Sequence, residues 1–234
     1  MEERCFAAID LGTNSCRLKI VDAKGRKVYQ DSIPTRLGEG LQAQMLLTDA
    51  AMDRGMECFY QYSQILAKYN VVNLRAVATE ACRVAKNAGD FIRKVYEKTG
   101  ISIEVITPYE EARLNLCGAI SHVREKTPYV VVIDLGGGST EITLASNGKR
   151  PEILSTVSIP WGAITSADAF HLATYNDEGY KRFSQEVKRW VEGFRNSSNF
   201  KDVRQDCCFV ATSSTPLRLA ALIKKHESYD RERC

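Results

Sequence analysis

The sequence predicts an α/β protein built as two related lobes. Three observations carry that expectation. Stretches with the period of a strand alternate with stretches of helical period. One short sequence device occurs twice, about half a chain apart. And 234 residues is more chain than one average domain needs. The device reads Ala8-Ile9-Asp10-Leu11-Gly12-Thr13-Asn14-Ser15 in its first copy and Val132-Ile133-Asp134-Leu135-Gly136-Gly137-Gly138-Ser139-Thr140 in its second. Each copy is an apolar strand, an aspartate, a glycine turn and hydroxyl side chains that lead into another strand. The echo implies two lobes whose loops face each other across a cleft. The polar stretch Arg124-Glu125-Lys126-Thr127-Pro128 ends in a proline that stops helices, and sets the expected division into residues 1–126 and 127–234.

The elements follow in order. Cys5–Asp10 is a short apolar strand, and Cys16–Val21 alternates polar Arg17 and Lys19 with apolar Leu18 and Ile20, the period of a half-buried strand. The Asp22-Ala23-Lys24-Gly25 turn leads to a third strand over Lys27–Ile33, so the chain opens as a meander of hairpins. Thr48 or Asp49 caps a helix that runs to about Tyr69. Val71–Ala78 is a strand, Glu80–Ala85 and Asp90–Lys98 are helices, and Thr99-Gly100 ends the second of them. A strand over Ile101–Ile106 precedes a helix that Pro108 opens and that reaches about Val123. Tyr129–Asp134 is apolar throughout, the composition of a strand buried on both faces. Strands over Glu141–Ser146 and Glu152–Ile159, helices over Asp177–Phe194 and Pro216–Lys225, and a strand over Cys207–Ala211 complete the expectation.

Composition narrows the class. Lys and Arg number 32 against 29 Asp and Glu, a formal charge of +3, with 44% hydrophobic and 26% charged residues. Such a chain buries a sizeable core and is neither disordered, collagen-like nor a coiled coil. No apolar run approaches the ~20 residues needed to cross a bilayer. The opening Met-Glu-Glu-Arg-Cys lacks the pattern of a secretory signal, so a cytoplasmic protein without membrane contact is expected. The near-neutral balance argues against broad nucleic-acid binding. None of the eight cysteines forms a CxxC pair, and they read as small core hydrophobes rather than disulfides or zinc ligands.

The two loops carry the chemistry. Glycine permits tight turns and close approach of a ligand to the backbone. Converging N–H groups in such a turn make an anion-binding nest, to which Ser and Thr hydroxyls add donors. An aspartate at the strand end would repel phosphate, so it suits a hydrated Mg²⁺ or a water. Neither a Walker A sequence nor a dinucleotide-binding GxGxxG is present, and both loops lead into strands, which points to two β-hairpins gripping phosphates. Glu110 and Glu111, early on a helix, are candidates for a general base toward water. Arg83 and Arg113 are candidate guanidinium forks for phosphate oxygens.

These residues bring out a resemblance. Ala8–Arg17 (AIDLGTNSCR), Arg36–Leu41 (RLGEGL), Thr79–Phe91 (TEACRVAKNAGDF), Ile103–Gly118 (IEVITPYEEARLNLCG), Val132–Ile142 (VIDLGGGSTEI) and Ile159–Ala163 (IPWGA) occur in that order. Together they resemble the exopolyphosphatase/guanosine pentaphosphate phosphatase family, over about residues 5–165. The resemblance implies two ribonuclease-H-like lobes of the actin, sugar kinase and Hsp70-like superfold. It also implies a hydrolase that releases the terminal phosphate of inorganic polyphosphate or the 5′ γ-phosphate of guanosine pentaphosphate. A catalytically weak polyphosphate or alarmone-binding sensor is the alternative.

Carried over by position, Glu111 becomes the base that activates water, favoured over Glu110 because it directly precedes Ala112-Arg113. Arg83 takes the place of the family's phosphate-contacting arginine. Asp134 and Glu141, with Asp10 beside the first loop, become carboxylates that organise Mg²⁺ or another divalent cation. Gly12, Thr13, Asn14 and Ser15, with Gly136, Gly137, Gly138, Ser139 and Thr140, cradle phosphates. Val210–Ala220 (VATSSTPLRLA) resembles a later family loop but carries Ser213-Ser214 where glycine is usual. Family members continue well past that loop, so the expectation is either a fragment or a shorter second lobe, part of it absent or supplied by a partner. The apolar surface of an incomplete lobe would invite pairing into a homodimer.

Overall fold

The computed structural model describes residues 4–123, 127–197 and 200–224. The expected break at residues 124–126, the charged run Asp230-Arg231-Glu232-Arg233, His226 and Cys234 lie outside the described residues. The chain divides into two compact units, Met1–Thr107 and Pro108–Cys234.

In the first unit, strands β1 (Cys5–Leu11), β2 (Ser15–Asp22), β3 (Lys27–Pro34), β4 (Val71–Ala78) and β5 (Ile103–Val105) form one sheet in the order β3-β2-β1-β4-β5. Helices α1 (Leu41–Gln44), α2 (Asp49–Leu66), α3 (Glu80–Val84) and α4 (Ala88–Thr99) fill the connections. The Thr48 side chain accepts a hydrogen bond from the Ala51 N–H and starts α2, which settles the choice between Thr48 and Asp49 as cap. Along α2 the buried residues Ala51, Gly55, Cys58, Phe59 and Tyr62 recur at helical spacing. They meet Ile9, Leu11, Leu18 and Ile20, the inward-pointing residues of β1 and β2. Gly55 lets α4 come close, because a Cβ there would lie 2.7 Å from the Phe91 ring. Phe59, Tyr62 and Phe91 are all fully buried, each contributing roughly 1.5–3 kcal/mol of apolar burial. Tyr62 also donates its hydroxyl to the Cys16 carbonyl at 2.9 Å, which keeps its polar end paired inside the core. Gly100 ends α4 with φ of 72°, the left-handed conformation that glycine adopts without cost.

In the second unit, β6 (Tyr129–Leu135), β7 (Thr140–Ser146), β8 (Ile153–Ile159) and β9 (Cys207–Thr212) form a sheet in the order β8-β7-β6-β9. It carries α5 (Pro108–Ile120), α6 (Ala163–Ala169), α7 (Asp177–Ser197), α8 (Phe200–Val203) and α9 (Ser214–Ile223). Both faces of β6 are covered. Val130 and Val132 pack with Leu116 and Ala119 of α5, while Val131 packs with Leu144 of β7 and Phe194 of α7. That is the physical reason for the unbroken apolar run of β6.

The two sheets share one plan. β1 pairs antiparallel with β2 and parallel with β4, as β6 pairs antiparallel with β7 and parallel with β9. The repeated loops therefore occupy the same place in each unit. The division between units falls earlier than Thr127, at Thr107–Pro108. The reason is α5, whose Leu116 and Ala119 belong to the second unit's core. Three short helices, α1, α6 and α8, have no counterpart in the sequence pattern; each has seven residues or fewer, too short to show helical period.

Cys5, Cys16, Cys58, Cys82 and Cys208 are buried free thiols, whereas Cys117 is exposed. Burial pushes the Cys82 thiol up to about 12 against the opposing charge of Arg83. Among the described residues no helix is long and apolar enough to cross a membrane.

Candidate active site: two glycine hairpins and a polar strand row

Each hairpin closes in the same way. The Gly12 N–H donates to the Ser15 carbonyl at 3.0 Å, and the Gly136 N–H donates to the Ser139 carbonyl at 3.0 Å. Each turn is then held from behind by the segment that follows the third strand of its own sheet. In the first unit, Gly38 and Arg36 donate backbone N–H groups to the carbonyls of Thr13 (2.9 Å) and Asn14 (2.8 Å). In the second, Ala163 donates to the Gly136 carbonyl (2.9 Å), and Ile164 and Thr165 donate to the Gly137 carbonyl (2.9 and 3.2 Å). The Thr165 hydroxyl donates to the Gly138 carbonyl at 2.8 Å.

The consequence is directional. In a trans peptide the N–H points opposite to the carbonyl that precedes it, and no peptide here is cis. With the carbonyls of Gly136, Gly137 and Gly138 drawn toward the start of α6, the N–H groups of Gly137, Gly138 and Ser139 face away from it. None of those three donates to a protein acceptor among the described residues. Three outward N–H groups in succession make a nest of the kind that can hold an anion. Gly162 makes the close approach possible, since a Cβ there would lie 2.5–2.7 Å from backbone atoms of Gly136 and Gly137. Gly38 plays that part in the first unit, where a Cβ would lie 2.3 Å from the Thr13 methyl.

The hydroxyls are less available than the loop sequences suggest. Thr13 and Ser139 are each 4% exposed, and the Thr140 hydroxyl donates to the Trp161 carbonyl at 2.7 Å. Asn14 is the exposed side chain of the first turn.

Beside each hairpin a row of residues crosses the sheet, and here the units differ. In the first, Asp10 lies opposite Arg17, and the two form an ion pair of 3.2 Å. Although 43% of the Asp10 side chain is accessible, burial raises its carboxyl above the usual range, with Arg17 pulling the other way. In the second unit the row is Ser158, Glu141, Asp134 and Thr212, on β8, β7, β6 and β9. Strand alternation puts Asp134 on the α5 side with Val130 and Val132, and Glu141 on that side with Ala145. The helix bearing Glu111 therefore packs on the face that carries both carboxylates.

Glu141 is 3% exposed and accepts a hydrogen bond from the Ser158 hydroxyl at 2.8 Å. The Thr212 hydroxyl is buried, with no hydrogen-bond partner among the described residues. Among the described residues no three His, Cys, Asp or Glu side chains gather as a self-sufficient metal site. Two neighbouring carboxylates with an unpartnered hydroxyl suit a hard cation such as Mg²⁺, which takes one or two carboxylates and completes its shell with water and substrate oxygens.

The remaining candidates separate. Glu110 is held by Arg113, at 2.7 Å to Nε and 2.9 Å to Nη2. Both Glu110 and Arg113 are thereby committed to each other, and that bond raises the Arg113 guanidinium further. Glu111, one position on, is half-buried. Arg83 donates from Nε and Nη2 to Glu80 (3.1 and 2.8 Å) and from Nη1 to the Ile106 carbonyl (2.9 Å). Its side chain is 14% exposed, so it is a structural ion pair rather than a solvated arginine.

Sequence reasoning passed over Ser158, Gly162, Thr165 and Thr212. Gly162 was visible within Ile159–Ala163. Ser158 and Thr212 join the site only through strand register, which no local pattern shows.

Two α/β units with ribonuclease-H-like sheets, each closing a glycine hairpin at the same strand junction, define a protein of the actin-like superfold. A match to the Ppx/GppA phosphatase family spans residues 19–232. A bifunctional 3-dehydroquinate synthase/phosphatase of Fusobacterium nucleatum is 32% identical over 241 residues, covering 97% of this chain and 35% of that protein. The chain thus spans about a third of the length of that relative. Among solved structures, an exopolyphosphatase-like protein matches at 28% identity with a TM-score of 0.85, over 96% of this chain and 70% of the other. A Ppx/GppA family member of Aquifex aeolicus matches at 26% identity with a TM-score of 0.72, over 98% and 72%. The chain belongs to the Ppx/GppA phosphatase family.

Proposed function

We propose that the protein hydrolyses terminal phosphoanhydrides, releasing phosphate from the end of inorganic polyphosphate or from the 5′ end of guanosine pentaphosphate. The observation that supports this best is the nest of N–H groups at Gly137, Gly138 and Ser139, turned outward by the start of α6. Phosphoryl transfer passes through a loose transition state, in which positioning and charge neutralisation matter more than covalent chemistry. The nest would hold the terminal phosphate by its oxygens. Glu111 would take a proton from the attacking water and orient it in line with the bond that breaks. The Gly12–Ser15 hairpin, a turn of the same kind in its own unit, would likewise hold phosphate oxygens.

Asp134 and Glu141, with the Thr212 hydroxyl, would hold a divalent cation, Mg²⁺ foremost. The cation, when bound, neutralises charge on the phosphate oxygens. Asp10, already paired with Arg17, would steady water or a cation beside the first hairpin. Arg83 would lend positive charge tempered by Glu80.

The test is phosphate release from polyphosphate and from guanosine pentaphosphate, side by side, with and without Mg²⁺. Glu111→Gln is expected to lower turnover by roughly 10²–10⁴-fold, the usual contribution of a general base. Release that the substitution leaves unchanged would remove Glu111 from the mechanism. Tight binding of either polyanion by the wild type without any release would instead favour a sensor.

A further inference from the structure

We propose that Thr165 is a positioning residue that sets how many N–H groups the glycine hairpin offers to phosphate. The three hairpin carbonyls are not held alike. Those of Gly136 and Gly137 are held by backbone N–H groups of α6, which no side-chain substitution removes. That of Gly138 is held by the Thr165 hydroxyl at 2.8 Å. The hydroxyl oxygen itself accepts the Gly162 N–H at 2.8 Å. Because the hydroxyl accepts from Gly162, its proton is directed at Gly138, and its role as donor there is settled. Thr165 is 4% exposed, so water does not readily replace it.

The peptide between Gly138 and Ser139 is thus tied down by one side chain, and glycine on its N-terminal side leaves it free to rotate once untied. Its N–H is the third of the nest. Among the described residues the first hairpin shows no such latch: its Thr13 and Asn14 carbonyls are held by backbone N–H groups of Gly38 and Arg36. Thr165 therefore governs the second hairpin alone. It touches no reacting atom and acts through the loop.

This inference rests on the reading of the hairpin as a phosphate cradle, and the experiment separates the two. The full chain, as wild type, Thr165→Val and Thr165→Ser, is titrated with inorganic phosphate while the amide signals of Gly137, Gly138 and Ser139 are followed by NMR. Wild type is expected to respond at all three. Thr165→Val keeps the shape and loses the hydroxyl. It is expected to retain the Gly137 response, lose that of Ser139, and bind phosphate about ten-fold to a hundred-fold more weakly, as befits one hydrogen bond to a charged group. Thr165→Ser restores the hydroxyl and is expected to bind as wild type does. If Thr165→Val binds phosphate as tightly as wild type, with Ser139 still responding, the positioning role is overturned. Should Thr165→Val fail to fold, weak binding by a folded Thr165→Ser overturns it equally. A wild type that shows no response at these amides overturns the cradle, and the role of Thr165 with it; a wild type that responds at all three beside a Thr165→Val protein that does so equally keeps the cradle and overturns the latch alone.

Discussion

Replacing Gly162 by alanine adds one methyl group where the protein has no room for it. The new Cβ would lie 2.5 Å from the Gly137 carbonyl carbon, 2.6 Å from its oxygen and 2.7 Å from the Gly136 oxygen. All three are backbone atoms, so no side chain can swing aside. Ordinary contacts between such atoms begin near ~3.5 Å, so hairpin and helix must separate by about 1 Å. That displacement stretches the bonds from Ala163 to Gly136 and from Ile164 to Gly137, both 2.9 Å, beyond hydrogen-bonding range. Two lost bonds cost ~2 kcal/mol together, and residual overpacking adds ~1–3 kcal/mol. Backbone strain adds nothing, since Gly162 sits at φ −110° and ψ −172°, which alanine adopts freely. The expected loss is therefore about 3–5 kcal/mol, measured by urea unfolding followed by circular dichroism. Gly118→Ala is the control. Gly118 lies inside α5, and a Cβ there would meet nothing within 4 Å, so alanine should gain ~0.5–1 kcal/mol. A Gly162→Ala protein as stable as wild type would refute the close-approach reasoning.

Two further outcomes follow from local geometry. Ser213 starts α9 at φ 81° and ψ 175°, a region that costs residues other than glycine ~1–3 kcal/mol; Ser213→Gly should raise the urea midpoint, and an unchanged or lower midpoint would show that the hydroxyl matters more than the strain. Burial alone would raise the Asp22 carboxyl, but hydrogen bonds from the N–H groups of Lys24 and Arg26 and from the Arg26 guanidinium outweigh it and hold it below the usual range. A lowered carboxyl stabilises above its unfolded pKa of ~3.9 and loses that contribution as pH falls through its folded value. The stability gap between wild type and Asp22→Asn should accordingly be widest at neutral pH and close below about pH 4; a gap independent of pH would contradict the assignment.

Much of the fold is legible because its signals are local. The alternation of β2, the Thr48 cap of α2, the Gly100 stop of α4 and the apolar run of β6 each reflect forces acting within a few residues. The site divides along the same line. The glycine turns stand out in the chain because the turns need room: a Cβ at Gly12 or Gly136 would lie 3.2 or 3.1 Å from the Ser15 or Ser139 carbonyl oxygen. The partners that give those turns direction do not. Thr165 lies 27 residues from Gly138, in a helix too short to announce itself. Arg113 reads as a free guanidinium until its bond to Glu110 is seen.

What the sequence determined by itself is the repeat, two aspartate-glycine hairpins at equivalent strand junctions, together with the family to which they point. What the tertiary structure decided is how the two copies differ. Register pairs Asp10 with a cation, Arg17, and pairs Asp134 with a second carboxylate, Glu141. One row therefore contains its own ion pair, while the other sets two acids side by side, next to a Thr212 hydroxyl that has no hydrogen-bond partner among the described residues. The physical reason is that neighbours across a sheet are chosen by strand pairing. That choice is made only when segments far apart in the chain fold together.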